Sequence, residues 1–228
     1  MNDIGNGLQD VGRMLHIWSK GDAWGGWNNL NTFNEKEFIE ICKSFGEEPC
    51  IQEIAINYTN SSFFNKVKKS IEKDRRGEVV FCVIRPNGKI ITVTCEEYPE
   101  GVFRIPTGGI QHGEDIVKAV FRETKEELGI EVEVIKFAGV IKIKFVHGES
   151  SVMFYSYIFI MREKSGNLLV DASDNEVSEV LEVGIEELKG VADSLNKITG
   201  KWSDWGKFRY TTTEAVYRAL KQLEASLQ

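Results

Sequence analysis

No apolar run in this sequence reaches the roughly 18 residues that a membrane-crossing helix needs. The N-terminus also lacks the charged-then-apolar pattern of a signal peptide, so neither a membrane span nor secretion is expected. Basic residues are in deficit: 28 Lys and Arg face 35 Asp and Glu, a formal net charge of −7. A general nucleic-acid binder usually shows a basic face, so no nucleic-acid partner is expected. A phosphorylated ligand suits this charge only if cations or local Arg and Lys neutralise it. The four cysteines, Cys42, Cys50, Cys82 and Cys95, show neither C-x-x-C spacing nor pairing with histidine. They read as free thiols in a reducing cytoplasm, with Cys82 and Cys95 inside apolar strand-like runs. Internal repeats and low-complexity tracts are absent too. What is there is an ordinary globular composition, 42% hydrophobic and 28% charged. Its 228 residues fit one domain with an appendage, or two small domains.

Along the chain, Ile4, Leu8, Val11, Leu15 and Trp18 stand at helical spacing, and a Gly- and Asn-rich loop with Trp24 and Trp27 follows. Asn34 and Glu37 form a capping pattern before a helix carrying Phe38, Ile41, Cys42 and Phe45, which Gly46 could end. A short strand (IQEIAINY) and a helix (SFFNKVKKSIEKD) complete an N-terminal α+β appendage over residues 1–75. From 76 to 228 the pattern is a second unit. EVVFCVIR and KIITVTCEEY flank Pro86-Asn87-Gly88, a strong hairpin signal. VFRIP reads as a third short strand. Two long strands, EVEVIKFAGVIKIKFV and SVMFYSYIFIM, join across HGES, and the second is apolar on both faces, as a covered central strand should be. A polar loop, a helix near EELKGVADSL and a last helix, TEAVYRALKQLEASL, close the chain. The expectation is an α/β fold: an α/β/α sandwich with a mixed central sheet, plus the small appendage.

The segment GGIQHGEDIVKAVFRETKEELGI, residues 108–130, crowds Glu123, Glu126 and Glu127 onto one helix. On a helix at about 100° per residue, Val117, Phe121, Thr124 and Leu128 share one face, expected to pack on the sheet. Lys118 and Lys125 fall opposite, and the three glutamates occupy an arc of about 100° between. Carboxylates that close do not all ionise cheaply, since each pKa unit of mutual disfavour is about 1.4 kcal/mol. A divalent cation reverses the balance, and hard oxygen ligands suit Mg²⁺ or Mn²⁺ bridging to substrate phosphates.

The whole segment fits G-x5-E-x7-R-E-U-x-E-E-x-G-U, U being a bulky aliphatic residue, through Gly108, Glu114, Arg122, Glu123, Glu126, Glu127, Gly129 and Ile130. Seven fixed positions would coincide by chance in roughly one window in 10⁸ to 10⁹. The segment resembles the Nudix box, the signature of the Nudix hydrolases. Thr124 departs from it at an aliphatic position, with a hydroxyl that can bond the carbonyl one turn back.

The resemblance implies a Nudix domain and a metal-dependent hydrolase of nucleoside diphosphates linked to another moiety. It implies metal ligands at Glu123, Glu126 and Glu127, with a backbone carbonyl near Gly108 and Gly109. It makes Arg122 the residue that orients the catalytic carboxylate and Glu114 its partner in fixing the loop. Glu123 is the first candidate for general base, with Glu176 and Glu179 as outside candidates. His112 and Arg104 could contact substrate, Lys142 and Lys144 could neutralise phosphates, and Trp24 and Trp27 could stack a base. Residues Trp202 and Trp205 read as packing of the last helix. No proline follows Pro106, and motifs of NADH and coenzyme A hydrolases are absent, so nucleotides, nucleotide sugars and dinucleoside polyphosphates stay open as substrates. The rival readings are a catalytically silent Nudix-fold nucleotide-binding module, a prenyl diphosphate isomerase and a nucleotide-sensing transcription factor. A homodimer is expected on the resemblance alone. Dimerising, roofing the site or lengthening the pocket are three roles open to residues 1–75.

Overall fold

Two strands of unusual length form the middle of the molecule. In the computed structural model, which describes residues 33–45 and 49–226, β5 (Ile130–His147) and β6 (Ser150–Gly166) pair antiparallel along nearly their whole length. The other elements are α1 (Glu35–Phe45), β1 (Cys50–Asn57), α2 (Ser61–Lys73), β2 (Arg75–Ile84), β3 (Ile90–Thr94), β4 (Thr107–Gln111), α3 (Ile116–Leu128), β7 (Glu179–Val183), α4 (Ile185–Asn196) and α5 (Ser203–Ser226). The strand order is β1-β5-β6-β2-β3-β7, and β4 also pairs with β2. β1 runs parallel to β5 and β2 parallel to β6, whereas β2–β3, β2–β4, β3–β7 and β5–β6 are antiparallel. The sheet is therefore mixed and open.

Alternation along β2 divides the core into two layers, because successive side chains point to opposite faces. Val79, Phe81 and Val83 join a cluster with Phe38 and Ile41 of α1 and Ile116, Ala119, Val120 and Leu128 of α3. Val80 and Cys82 join a second cluster with Phe64 and Ile71 of α2, Leu188 of α4, and Phe208, Val216 and Leu220 of α5. The result is the expected α/β/α sandwich. β6 lies between β5 and β2 with Phe154, Tyr157, Ile158, Phe159, Ile160 and Met161 all buried, as its two-sided apolar pattern demands. A fully buried Phe or Ile contributes roughly 1.5–3 kcal/mol relative to exposure, so this strand anchors both layers.

The chain before β2 is woven into that framework. β1 pairs with β5 from Cys50↔Gly139 to Asn57↔Val146. The Asn34 side chain accepts from the Glu37 N–H at 3.1 Å, the capping contact the sequence indicates. Asp204, 1% exposed at the start of α5, accepts from the backbone N–H groups of Thr59 and Asn60 at 2.8 and 2.9 Å, tying α2 to α5.

Several elements differ from expectation. VFRIP forms only an isolated bridge, Val93↔Arg104, and the strand after it is β4, over residues placed in the box loop. Residues 179–183 form an edge strand paired with β3, where a loop running to Glu179 was expected. α5 begins at Ser203, ahead of its expected start, and takes in Trp205, while Trp202 ends a 3-10 turn, Gly200–Trp202. The proposed first helix and Trp24 and Trp27 lie outside the described residues. Among the described residues no helix is long and apolar enough to cross a membrane.

Candidate active site

The acidic helix α3 is delimited by local chemistry. Asp115 caps its N-terminus, accepting from the Lys118 N–H at 2.9 Å. Gly129 ends it in the left-handed conformation, φ 73°, where a Cβ would stand 2.5 Å from the Ala172 nitrogen. The Thr124 hydroxyl donates to the Val120 carbonyl at 2.7 Å, satisfying a polar group that is fully buried.

The helix is rotated from its expected setting. Its buried residues are Ile116, Ala119, Val120, Thr124, Glu127 and Leu128, whereas Phe121 is 42% exposed and Val117 only partly buried. Thr124 and Leu128 are buried as expected, but the inward face is centred on Ile116, Val120 and Glu127. The helix thus carries a glutamate into its own packing face.

Arg122 gathers the others. Its Nε and Nη2 donate to the two carboxylate oxygens of Glu114 at 2.7 and 2.9 Å. Nη1 donates to Glu123 at 2.8 Å and to Glu126 at 2.9 Å, and Nη2 also reaches the Gly109 carbonyl at 3.0 Å. Glu114 in turn accepts from the Gln111 N–H at 2.9 Å. One planar guanidinium thus locks the loop onto the helix. This pairing holds the Glu114 carboxyl below its ordinary pKa. For Glu123, burial outweighs the same arginine and pushes the pKa up. Gly108 is where the strand must touch the helix: a Cβ there would lie 2.1 Å from Glu123 Cγ.

Glu127 is 2% exposed, and its Oε2 is buried without a hydrogen-bond partner. Burial first, then the nearby Glu123, Glu176 and Asp174 charges, push its pKa to about 8 against the opposing pull of Arg104. Glu176 and Asp174 come from the loop before β7, which is strapped to the C-terminal end of α3: Ser173 and Asp174 N–H groups donate to the Glu126 carbonyl, and Leu169 to that of Leu128. A cleft of about 460 Å³ opens here, lined by Glu127, Arg104, Glu176, Tyr98 and Cys95, among others.

The remaining sequence candidates divide. Arg104, 8% exposed, donates to the Tyr98 hydroxyl, the Ile105 carbonyl and the Thr107 hydroxyl. His112 donates from Nε2 to the Ile71 carbonyl at 2.9 Å, fastening the box loop to α2. Glu179 starts β7 opposite Thr94. Lys142 lies 3.5 Å from Glu53 and over the Phe33 ring. Two contributors escaped the sequence. Arg76 grips Glu37 through both carboxylate oxygens and donates to the Glu114 carbonyl, and its only signal was the Arg-Arg pair opening β2. Tyr98 gave no signal, because the rings packed on it, Trp202 and Trp205, are remote in sequence.

Among the described residues no three carboxylate, histidine or cysteine groups already converge as a metal cage. The donor chemistry nonetheless suits a hard cation. Glu127 presents a buried, unpartnered carboxylate oxygen, and Mg²⁺ is a hard cation that takes carboxylate oxygens while keeping several waters.

The chain is similar at low identity to several solved structures. A NUDIX hydrolase from Nitrosomonas europaea superposes with a TM-score of 0.44 at 14% identity, covering 62% of this chain and 89% of that one. A C. elegans Ap4A hydrolase gives 0.39 at 16% identity, over 66% and 97%. An ADP-ribose pyrophosphatase from Streptococcus suis gives 0.38 at 14%, over 62% and 89%. The family model of the NUDIX domain matches residues 74–206, more than half of the chain, and the protein belongs to that family.

Proposed function

We propose that the protein hydrolyses the pyrophosphate linkage of a nucleoside diphosphate joined to another moiety, using Mg²⁺ or Mn²⁺ held by Glu123, Glu126 and Glu127. The observation that carries this reading is the orphaned Oε2 of Glu127, a carboxylate oxygen buried with no protein donor. A buried charge without a partner is strongly disfavoured, so the site is built for a positive charge. When bound, a divalent cation supplies neutralisation of the phosphate oxygens and a water of lowered pKa.

The chain's own residues do the rest. Arg122 fixes Glu123 and Glu126 through Nη1, so their orientation costs nothing at the moment of reaction. Glu123, raised in pKa by burial, is the first candidate to accept a proton from the attacking water, since a base works best with a pKa near the working pH. Glu176, beside Glu127 in the cleft, is the outside candidate. Glu114 and Gly109 hold the loop whose Gly108 backbone faces Glu123. Arg104 faces the same cleft as Glu127 and offsets phosphate charge. A homodimer and a reducing, cytoplasmic setting belong to the same reading, the latter supported by four free cysteines.

The test is phosphate release from a panel of nucleoside diphosphate derivatives with Mg²⁺ or Mn²⁺ and a coupling phosphatase. Turnover of one class, abolished by chelator and in Glu127→Gln, is the expected outcome. Ligand binding with no turnover on any compound would replace the hydrolase with a regulatory module.

A further inference from the structure

The cleft beside Glu127 has an aromatic wall that hydrolysis leaves without a task. Tyr98, in the turn after β3, lines it together with Arg104 and Glu127. Its ring is in contact with Arg104 and with two tryptophans. Arg104 Nε donates to the phenol oxygen at 2.9 Å, and the guanidinium carbon lies 5.5 Å from the ring centroid. Trp205, in the first turn of α5, and Trp202, in the 3-10 turn before it, approach to 4.5 and 6.1 Å between centroids, and to 5.4 Å of each other. Phe63 of α2 braces Trp202 at 5.4 Å.

Tyr98, Trp202 and Trp205 are all partly open to solvent. An aromatic ring already immobilised loses little entropy when a planar ligand stacks on it. The cleft volume, about 460 Å³, lies within the range that small-molecule sites occupy. Arg104 lines the same cleft, bonded to Tyr98 and acting electrostatically on Glu127.

We infer that Tyr98 is the stacking platform for the substrate's nucleobase, braced by Trp202 and Trp205, with the pyrophosphate directed past Arg104 toward Glu127. The inference rests on the hydrolase reading above. Stacking on an aromatic face is tolerant of base identity, so the platform sets the substrate class as nucleotide without selecting one base.

Two matched, non-hydrolysable probes separate base from phosphate: α,β-methylene-ADP and methylenebisphosphonate, each titrated calorimetrically with Mg²⁺. Wild type binds the nucleotide analogue more tightly. Tyr98→Leu, which keeps apolar bulk, weakens that analogue roughly tenfold and leaves the bisphosphonate unchanged, whereas Tyr98→Phe behaves as wild type. Should Tyr98→Leu fail to fold, the wild-type tryptophan fluorescence decides: the nucleotide analogue quenches it, the bisphosphonate does not, and Trp205→Phe loses most of the response. Equal loss of both probes in Tyr98→Leu, or equal wild-type affinity for both, overturns the platform while leaving hydrolysis standing. Failure of both probes to bind wild type overturns the hydrolase reading and the platform with it.

Discussion

Replacing Glu127 by Gln removes one ionisable group and almost no volume, and its consequence for stability can be worked out. In the folded protein burial raises this carboxyl from 4.5 to about 8. Between those values the native state holds a proton that the unfolded chain has released. Stability therefore falls as pH rises across that window, since its slope follows the protons bound by the unfolded state minus those bound by the native one. The group's contribution is fully present below pH 4.5 and is lost as pH passes 8. At one proton, the loss is about 3 kcal/mol by pH 7 and about 5 kcal/mol well above pH 8. Urea unfolding of both proteins in chelator at pH 4.5, 7 and 9 isolates it, because other carboxylates titrate alike in both. The wild type minus the variant should decline by those amounts. Saturating Mg²⁺ should shrink the decline, because the ion stabilises the ionised form that burial disfavours. Parallel pH profiles in chelator would refute the reasoning: Glu127 would then be ionised in the folded state or reached by water.

Further expectations concern the loop, the core and the cleft. Gly108→Ala forces a Cβ to 2.1 Å from Glu123 Cγ; the displaced carboxylate should lower kcat on the order of 100-fold, read by steady-state kinetics beside a melting curve. Arg122→Lys leaves one ammonium to serve Glu114, Glu123, Glu126 and the Gly109 carbonyl, four partners of a planar fork; activity should fall at least tenfold with the fold intact by circular dichroism. Arg209 meets Glu78 at 2.9 Å, and Ser156 donates to the same carboxylate; Arg209→Met strands Glu78 at 2% exposure and should cost about 3–5 kcal/mol in urea unfolding, much of it restored by adding Glu78→Gln. Cys95 lines the cleft, Cys50 is exposed and Cys82 is buried; mass-resolved alkylation should slow at Cys95, and not at Cys50, when α,β-methylene-ADP and Mg²⁺ are present.

What the sequence discloses is governed by how local the cause is. The Pro86-Asn87-Gly88 hairpin and the β5–β6 pair were legible because turn chemistry and alternation act between neighbours. The pairing of Arg122 with Glu114 and with a catalytic carboxylate was legible only through the resemblance to the Nudix box, and its further contact with Glu126 was not expected. β7 was hidden because an edge strand of five residues buries only its last, Val183, and the rest look like loop. Tyr98 was hidden because the rings packed on it, Trp202 and Trp205, lie far along the chain, although Arg104 is close by.

The rotation of α3 is the more instructive miss. Two stripes on this helix have apolar residues at helical spacing, Val117 with Phe121 and Ile116 with Val120. The face expected from helical spacing held Val117 and Phe121 and left the glutamates off the buried side, where carboxylates usually belong. That setting is wrong here because Glu127 lies on the inward face, 2% exposed, with Ala119 and Val120 buried on the same helix. A helix optimised for stability alone would place an apolar side chain there. The violation is therefore itself the signal: a position where propensity and burial disagree within a well-packed element is where a fold has given up stability for chemistry. By that argument, an apolar replacement such as Glu127→Leu should make the metal-free protein more stable than the wild type above pH 8 while abolishing turnover, and a less stable, still active variant would break the connection between burial and function.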